Sequence, residues 1–391
     1  MKSRKNKGYK IESYGRIYDS SDRRRKKRIR NSVLFVLAVL VLGFVGYSIS
    51  GPLTNLLSGQ KTPRPNDASS KNPVASQVTS SENQDIALDS EVPSSISDYK
   101  AAFLPLETAK DNQKLSEYIA NIKAQGYNAA VLELKNEDGT IFYATQNTMA
   151  ADVKAVSETA ITNLPEIIAK LKSENILPIA NIHAFKDKTA TKNKDAKILL
   201  EGSNGWDWWD SANGKPWLNP YKDAAQEYII SLSCELIDLG FENIMVSSLM
   251  FPDVRGFAKA DFGELEKTIS HADILKQFSE KLKSKINEKG AKFLLCYDAF
   301  KAEEENNVIY GGANPKSFAA DAVVPTLSVY TENQSQVTEI VSALKSGSVS
   351  VMPKFIFAEG DAVSAEQIAE QKELCKDCSI YIYNKNGNYI G

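Results

Sequence analysis

The sequence has little of the residue types on which most metal, redox and nucleotide sites depend. Its 391 residues include two histidines and four cysteines. No pair of histidines has the HExxH spacing of a helical zinc site, and neither a glycine-rich phosphate loop nor a dinucleotide fingerprint is present. These absences argue against zinc, nucleotide and NAD-dependent chemistry, and we expect no metal and no cofactor.

The shortage of histidine also limits nucleophilic catalysis. Of His183 and His271, only His183 follows an apolar strand-like run, so a Ser-His-acid triad could use that residue alone. The sequence contains no nucleophile-elbow motif. Because a single histidine at a strand end is more often a hydrogen-bonded structural residue, the sequence favours a structural or ligand-binding role for His183.

Two of the four cysteines are predicted to be buried packing residues, and the other two form a local pair. Cys234 and Cys296 lie in apolar runs and are typical of buried thiols. Cys375 and Cys378 form a C-x-x-C pair, which can close a small disulfide outside the cytoplasm. Two cysteines alone make a poor zinc site, and the sequence leaves their oxidation state open.

The chain as a whole has almost no net charge, but its basic and acidic residues are unevenly distributed along the sequence. The 47 basic and 49 acidic residues give a net charge of −2. Residues 1–31 contain 13 basic and 3 acidic residues, a net of +10, so the remainder carries −2 − 10 = −12. A basic block can bind nucleic acid. This block adjoins an apolar run, so it is more simply a topology signal that contacts anionic lipid, and we expect no nucleic-acid partner.

One apolar run approaches the thickness of a bilayer. Residues 33–49 are 17 residues without a charge, at the short end of the roughly 17–25 residues that span a membrane. Basic residues beside a span stay in the cytoplasm. We therefore predict a basic cytoplasmic tail (1–31), a transmembrane helix (32–50) and an extracytoplasmic remainder in the cell membrane. The alternative is a cleaved signal peptide, whose apolar stretch is shorter, about 7–15 residues.

The segment after the predicted span is poor in large apolar residues. Residues 51–97 are rich in Ser, Asn, Gln, Pro and Asp. Such a composition buries too little surface to offset the entropy of ordering. We expect a flexible linker that holds the following domain away from the bilayer.

Residues 98–391 alternate apolar strand-like runs with amphipathic helical patterns. The strand-like runs are 101–104, 129–134, 177–182, 243–248, 292–297, 322–327, 350–355 and 379–383. Helical patterns cover 112–125, 164–175, 221–239, 272–289, 333–346 and 364–374, and the pattern after the fifth strand, around 314–320, is weak. The alternation predicts an α/β protein with a parallel sheet, and eight strands predict a (β/α)8 TIM-like barrel. A doubly wound sheet is the alternative.

Short signals at the predicted junctions agree with this pattern. Glycines follow three of the helical runs just before a strand, as helix C-caps do: Gly126, Gly240 and Gly290. Asn219-Pro220 is typical of an N-cap followed by a first-turn proline.

In a barrel of this kind the functional side chains lie at the carboxyl ends of the strands. Glu133 and Asp298 occupy such ends, and glycoside hydrolysis uses two carboxyl groups about 5–10 Å apart. We therefore take them as the candidate catalytic pair. Other polar or aromatic residues at or beyond strand ends are candidates for binding a substrate: His183, Lys186, Asp187, Asp253 and Tyr330. Chance placement is the alternative, because loops are rich in acidic residues.

All four tryptophans lie within twelve residues, after the third strand: Trp206, Trp208, Trp209 and Trp217. Exposed indoles stack on the apolar faces of sugar rings and are frequent binding anchors. We take Trp208, Trp209 and Trp217 as candidate substrate-binding residues. The alternative is a small satellite core beneath a long loop.

Six segments follow one another in an order and spacing that match a known bacterial family. They are residues 128–139 (NAAVLELKNEDG), 176–187 (ILPIANIHAFKD), 215–221 (KPWLNPY), 239–244 (LGFENI), 251–252 (FP) and 297–300 (YDAF). On these segments, the stretch from Ala129 to Tyr330 resembles the bacterial putative glycosyl hydrolase barrel domain, a largely uncharacterised family related to other barrel glycosidases. The resemblance implies a barrel that acts on or binds glycans.

The chain departs from this family at the end of the fourth strand. The family typically reads phenylalanine-aspartate-tyrosine-valine-arginine-phenylalanine-proline, where residues 246–252 read VSSLMFP. Ser247 stands at the acidic position and Met250 at the arginine position, whereas Glu133 and Asp298 keep carboxylates at the other strand ends. If the missing acid is the family's nucleophile or base, its loss removes the two-carboxylate mechanism.

These observations predict a membrane-anchored, extracytoplasmic, glycoside hydrolase-like barrel that has lost hydrolysis and binds a glycan or cell-wall polysaccharide. An active glycoside hydrolase on an envelope or extracellular polysaccharide, using Glu133, Asp298 or Asp253, is the first alternative. A structural or protein-binding ectodomain without sugar chemistry is the second. The sequence does not identify the glycan or the oligomeric state.

Overall fold

The apolar runs of the sequence form a closed barrel in the computed structural model. The structure describes residues 96–210, 216–253, 256–305, 307–330, 333–357 and 365–384. The predicted tail (1–31), the predicted span (32–50) and nearly all of the predicted linker lie outside these residues. Within them, every helix is too short or too polar to cross a bilayer.

Eight strands make up the barrel wall. Strands β1 to β8 are, in chain order, Lys100–Phe103, Ala129–Lys135, Leu177–His183, Asn243–Ser247, Lys292–Asp298, Ala322–Val329, Lys354–Phe357 and Ile380–Tyr383. Each pairs in parallel with the next, and β8 pairs with β1 to close the ring. This confirms the predicted TIM-like barrel and excludes the doubly wound sheet, because an open sheet would leave two unpaired edges.

Helices cover the outside of the barrel. Within the described residues, the longer ones are α1 Asn112–Ala124, α2 Leu164–Ser173, α3 Asp223–Asp238, α4 His271–Glu288, α5 Gln334–Lys345 and α6 Ala365–Leu374. Shorter helices are Leu106–Ala109, Thr148–Asp152 and Ala299–Ala302, and 3-10 turns are Ile96–Asp98, Ala190–Lys192, Phe257–Lys259, Glu264–Lys267, Val308–Tyr310 and Pro315–Ser317. The weak helical pattern before β6 corresponds to the turn Pro315–Ser317.

Local side chains fix where the helices begin. The carboxylate of Asp111 accepts hydrogen bonds from the N–H groups of Gln113 and Lys114 at 3.0 and 3.1 Å, so α1 begins at the next residue. Ser270 likewise accepts the N–H of Asp273 at 3.1 Å and starts α4. Both caps satisfy donors that the first helical turn leaves unpaired.

The predicted helix ends are confirmed, and one predicted start is wrong. The three C-cap glycines adopt left-handed backbone angles, with φ of 77°, 113° and 79° at Gly126, Gly240 and Gly290. Helix α3, however, begins at Asp223 rather than after Pro220. The buried side chain of Asn219 binds the carbonyl of Phe262 and the N–H of Tyr221, so it closes a loop instead of capping the helix.

Among the described residues, four short strands lie outside the ring and a fifth extends its wall. Ile141–Tyr143 pairs with the end of β2 and with Val156–Ile161, and Leu199–Leu200 pairs with Ala260–Asp261. The predicted run 350–355 is divided: Ser350–Val351 pairs with the start of β6, and β7 begins at Lys354. Pro353 lies at the break, where its missing N–H interrupts the ladder.

Candidate functional site at the barrel mouth

Polar side chains line the carboxyl ends of the strands. At or just beyond these ends, several strands carry a partly or fully exposed residue among buried ones, as Glu133 lies between buried Leu132 and Leu134. In a barrel of this kind the carboxyl ends of the strands form the mouth. The partly or fully exposed residues at this level of the wall are Glu133, His183, Ser248, Asp298, Thr326, Ser328, Lys354, Ile356 and Tyr383.

Ser247, at the position where the resembling family carries an acid, is not available for carboxylate chemistry. Its residue is 6% exposed, and its hydroxyl donates a 2.8 Å hydrogen bond to the side-chain oxygen of buried Asn181. The two residues lie on neighbouring strands β4 and β3. The hydroxyl is therefore satisfied inside the wall, and the position carries no negative charge.

Glu133, His183 and Ser248 come together on three adjacent strand ends. The Nδ1 atom of His183 lies 2.8 Å from the Ser248 hydroxyl, and its Nε2 atom lies 3.6 Å from a carboxylate oxygen of Glu133. In the pairing of β3 with β4, His183 lies opposite Ser247. This register places Ser248, the next residue, close to the His183 side chain. The structure thus joins two predicted site residues with one that the sequence did not single out.

The second histidine lies away from this group. His271 begins α4 and packs against Phe251, with ring centroids 4.4 Å apart. Its Nε2 atom is 2.8 Å from a carboxylate oxygen of Glu266. Its surroundings are aromatic, so its role is to pack the loop that follows β4.

Asp187 is a buried structural residue rather than an exposed ligand group. Its carboxylate forms a 2.8 Å ion pair with Lys135, and both side chains are fully buried. Lys135 also donates to the carbonyl of His183 at 2.6 Å, and the other oxygen of Asp187 accepts the N–H of Ala190 at 2.7 Å. The pair therefore fixes the end of β2 to the loop that follows β3, beneath the Glu133–His183 contact.

The Asp187 carboxylate also explains why position 139 is a glycine. A Cβ atom added at Gly139 would lie 1.8 Å from an oxygen of Asp187, and its φ is +84°. Only glycine fits here, because the left-handed backbone and the close approach each exclude a side chain.

Asp298 ends β5 and is exposed. Its carboxylate accepts the N–H of Lys301 at 3.0 Å and caps the short helix Ala299–Ala302, while its own N–H donates to the Tyr310 hydroxyl at 2.8 Å. Strands β3 and β4 separate it from Glu133, so the two predicted catalytic carboxylates occupy well-separated sectors of the eight-stranded ring.

Asp253 and Lys186 take part in ion pairs between loops. Asp253 lies 2.8 Å from the ammonium group of Lys301, and the hydrogen bonds that Lys301 donates to this carboxylate and to Glu304 raise the pKa of Lys301. Lys186 pairs with Glu137. These contacts connect the loops after β4 and β5, and the loops after β2 and β3, respectively. Tyr330, the last candidate, is 47% exposed.

The tryptophan cluster divides into a buried and an exposed half. Trp208 and Trp217 are 2% and 3% exposed, whereas Trp206 and Trp209 are 72% and 56% exposed. The indole N–H of Trp208 donates to the carbonyl of Gly256 and that of Trp217 to Asp210. Trp208 and Trp217 are thus a satellite core, and the expectation that they offer stacking faces is wrong. Trp209 and Trp206 are exposed enough to stack on a sugar ring.

One further arrangement at the mouth, a lysine packed over two tyrosine rings, was not predicted from the sequence. Lys354 lies over the rings of Tyr381 and Tyr383, 5.4 and 4.7 Å from their centroids. Register places it beside Thr326, which in turn pairs with Asp298. The parallel pairing of β7 with β8 brings Lys354 beside Tyr381, and no local signal in the sequence marks this register. Across the described residues, no group of three or more His, Cys, Asp or Glu side chains is arranged to hold a metal ion.

Solved structures with a similar fold include several glycoside hydrolase domains. The PgaB (BpsB) glycoside hydrolase domain from Bordetella bronchiseptica matches with a TM-score of 0.55 at 12% identity, covering 75% of this chain and 95% of that one. The glycoside hydrolase domain of PelA from Pseudomonas aeruginosa matches with a TM-score of 0.44 at 13% identity, covering 75% and 97%. At these identities the likeness concerns the fold alone.

A protein from Ruminiclostridium thermocellum ATCC 27405, described as hypothetical, is 20% identical over 53% of this chain and 99% of its own, with a TM-score of 0.44. No curated protein matches the sequence. The model of the family described as "putative glycosyl hydrolase domain" matches residues 101–308. This is more than half of the chain and includes strands β1 to β5, so the chain belongs to that glycosyl hydrolase domain family.

Proposed function

We propose that this protein is a membrane-anchored, extracytoplasmic barrel that binds a cell-envelope glycan at its mouth and has lost glycosidic-bond hydrolysis. The observation that carries the loss is the hydrogen bond between Ser247 and Asn181. It places a neutral, satisfied hydroxyl where the resembling family has an acid. If that acid is the family's nucleophile or base, its loss removes the two-carboxylate mechanism.

The remaining carboxylates favour the same conclusion. Glu133 lies against His183, and Asp298 caps a helix in a separate sector of the mouth. Both carboxylates are thus engaged by groups of the chain itself.

Glycan binding is supported by aromatic surface on the loop face. Trp209 and Tyr330 are about half exposed, and both follow carboxyl ends of barrel strands. Tryptophan and tyrosine present flat apolar faces with a polar edge, which suits pyranose rings. The predicted span and linker would keep this face within the envelope matrix.

Binding is tested with the full-length protein in detergent, incubated with purified cell-wall polysaccharides and separated from them by sedimentation. We expect the wild type to co-sediment and Trp209→Ala to weaken binding about tenfold or more, as loss of a stacking anchor does. Leu265→Ala is the control, because Leu265 is also 50% exposed but is not aromatic. No binding to any polysaccharide would favour a structural or protein-binding ectodomain.

A further inference from the structure

The Glu133–His183–Ser248 group has a geometry that glycan binding does not explain. The serine hydroxyl is within hydrogen-bond distance of one imidazole nitrogen, at 2.8 Å, and the carboxylate is 3.6 Å from the other. A hydroxyl, an imidazole and an acid in this order are the components of an activated nucleophile. The 3.6 Å separation is longer than a hydrogen bond, and catalytic hydrogen bonds often reach their full strength only when substrate binds.

All three side chains are reachable from the mouth. The side chains of His183 and Glu133 are 17% and 29% exposed, and Ser248 is partly exposed. Its neighbour Ser247 is buried in the wall. The chain therefore presents one serine of the pair to the mouth and hides the other.

The backbone of Ser248 is strained. Its φ is +55°, a left-handed value shared, among the non-glycine residues that the structure describes, only with Lys154 and Asn175. Those two follow helix ends, where such a conformation is usual, whereas Ser248 directly follows a strand. Its carbonyl accepts the N–H of Phe185 at 3.1 Å. Strain held in place at a strand end is typical of functional positions.

The two backbone N–H groups that directly follow the serine are candidate donors for an oxyanion. No backbone carbonyl of the described residues accepts the N–H of Leu249 or of Met250. In nucleophile-elbow enzymes, the N–H of the residue after the serine stabilises the tetrahedral intermediate. Leu249 holds that position in this chain.

We propose that Ser248, His183 and Glu133 form a catalytic triad that hydrolyses a carboxylic ester, and that the ester is an acyl substituent of the glycan bound at the mouth. The serine–imidazole contact uses Nδ1, and the acid contact uses Nε2. In serine proteases the serine contacts Nε2 and the acid contacts Nδ1, the reverse of the arrangement here. Either ring nitrogen accepts a proton when the other carries hydrogen, so both arrangements support the same chemistry.

The reaction proceeds in two balanced halves. The Ser248 oxygen bonds to the ester carbonyl carbon while His183 takes its proton, and the C–O bond to the sugar breaks as His183 returns that proton to the sugar oxygen. Water then attacks the acyl-enzyme, again giving a proton to His183, which passes it to the Ser248 oxygen as the acid leaves. Ester and water become alcohol and carboxylic acid, and Glu133 stabilises the imidazolium in both halves.

The test uses the full-length protein in detergent with p-nitrophenyl acetate as the probe ester. We expect turnover that falls about 1,000-fold or more in Ser248→Gly and about 100-fold or more in Glu133→Gln. Glycine suits the left-handed backbone, so the Gly variant should melt no lower than the wild type. Ser173→Ala is the control, since that hydroxyl is exposed and only caps the end of α2.

A phosphonofluoridate probe provides a second measurement that does not depend on turnover. We expect mass spectrometry to find it on Ser248 in the wild type and to find no label in His183→Ala. Turnover unchanged in Ser248→Gly, or no esterase activity and no label in a folded wild type, would overturn the triad. The sugar part of the substrate rests on the proposed function, whereas ester cleavage does not. A protein that binds glycan without cleaving esters refutes the triad alone.

Discussion

Two consecutive serines at the end of β4 have different roles in the barrel. Ser247 is satisfied by Asn181 inside the wall, while Ser248 reaches His183 on the mouth side. The sequence places both serines at the end of a strand. It does not show which one faces the mouth, because that depends on the register between β3 and β4 and on the unusual backbone angle of Ser248.

The buried ion pair gives a prediction at the residue scale. Asp187→Ala would leave the ammonium group of Lys135 buried without a counter-charge, since both side chains are fully buried. Breaking a pair of this kind costs about 3–5 kcal/mol of unfolding free energy. Urea denaturation of the purified protein measures the loss.

Glu264→Ala is the matched control for that experiment. Its ion pair with Lys267 is exposed, with side chains 88% and 70% accessible, so removing it should leave the urea midpoint essentially unchanged. Equal effects of the two substitutions would contradict the structural role of the buried pair.

The positions of the strands and helices are predicted by the periodicity of the sequence, whereas the conformations of the loops that connect them are not. All eight barrel strands were predicted within a few residues because each is apolar on both faces. The start of α3 was misplaced because the Asn219 side chain closes a loop. The tryptophan loop divided into buried Trp208 and exposed Trp209, a distinction set by the path of the loop and by contacts distant in sequence.

The junction of α4, β5 and β6 gives a prediction for pH dependence. Burial alone would raise the pKa of Asp321. Hydrogen bonds from Asn287, the N–H of Phe293 and Lys283 outweigh it and hold the pKa of this carboxyl below its ordinary value. A depressed native pKa contributes stability above the unfolded pKa, about 3.9 for aspartate, and this stability is lost as the pH falls through the native pKa.

We therefore expect Asp321→Asn to destabilise the protein by about 1 kcal/mol at pH 7, an amount reduced for partial exposure. The difference from the wild type should shrink as the pH is lowered below about 4. Denaturant midpoints recorded between pH 7 and pH 3 measure it. A difference that is constant over this range would show that the charge of Asp321 does not contribute.

At the scale of the whole molecule, we propose that topology and site act together. A basic tail of net +10 (13 basic and 3 acidic residues) precedes the apolar run, which favours a cytoplasmic N-terminus. The predicted linker, residues 51–97, has 47 residues, and as a flexible chain it would have a root-mean-square reach of roughly 35–40 Å. The barrel mouth would thus meet glycan close to the outer face of the membrane.

This arrangement predicts the result of protease protection. In intact cells that express the full chain, external protease should cut within residues 51–97, because we expect this linker to lie outside the membrane. An epitope tag on residues 1–31 should remain protected until the membrane is permeabilised. Digestion of the tag in intact cells, or a linker that is cut only after lysis, would contradict the proposed orientation.

We propose that the barrel binds an envelope glycan and leaves its glycosidic bonds intact. The most direct measurement is the release of new reducing ends from a purified polysaccharide that the full-length protein demonstrably binds. We predict binding without any rise in reducing ends above a protein-free control, in the wild type and in Asp298→Asn alike. Reducing ends that accumulate with the wild type and disappear in Asp298→Asn would show an active glycoside hydrolase and contradict the account.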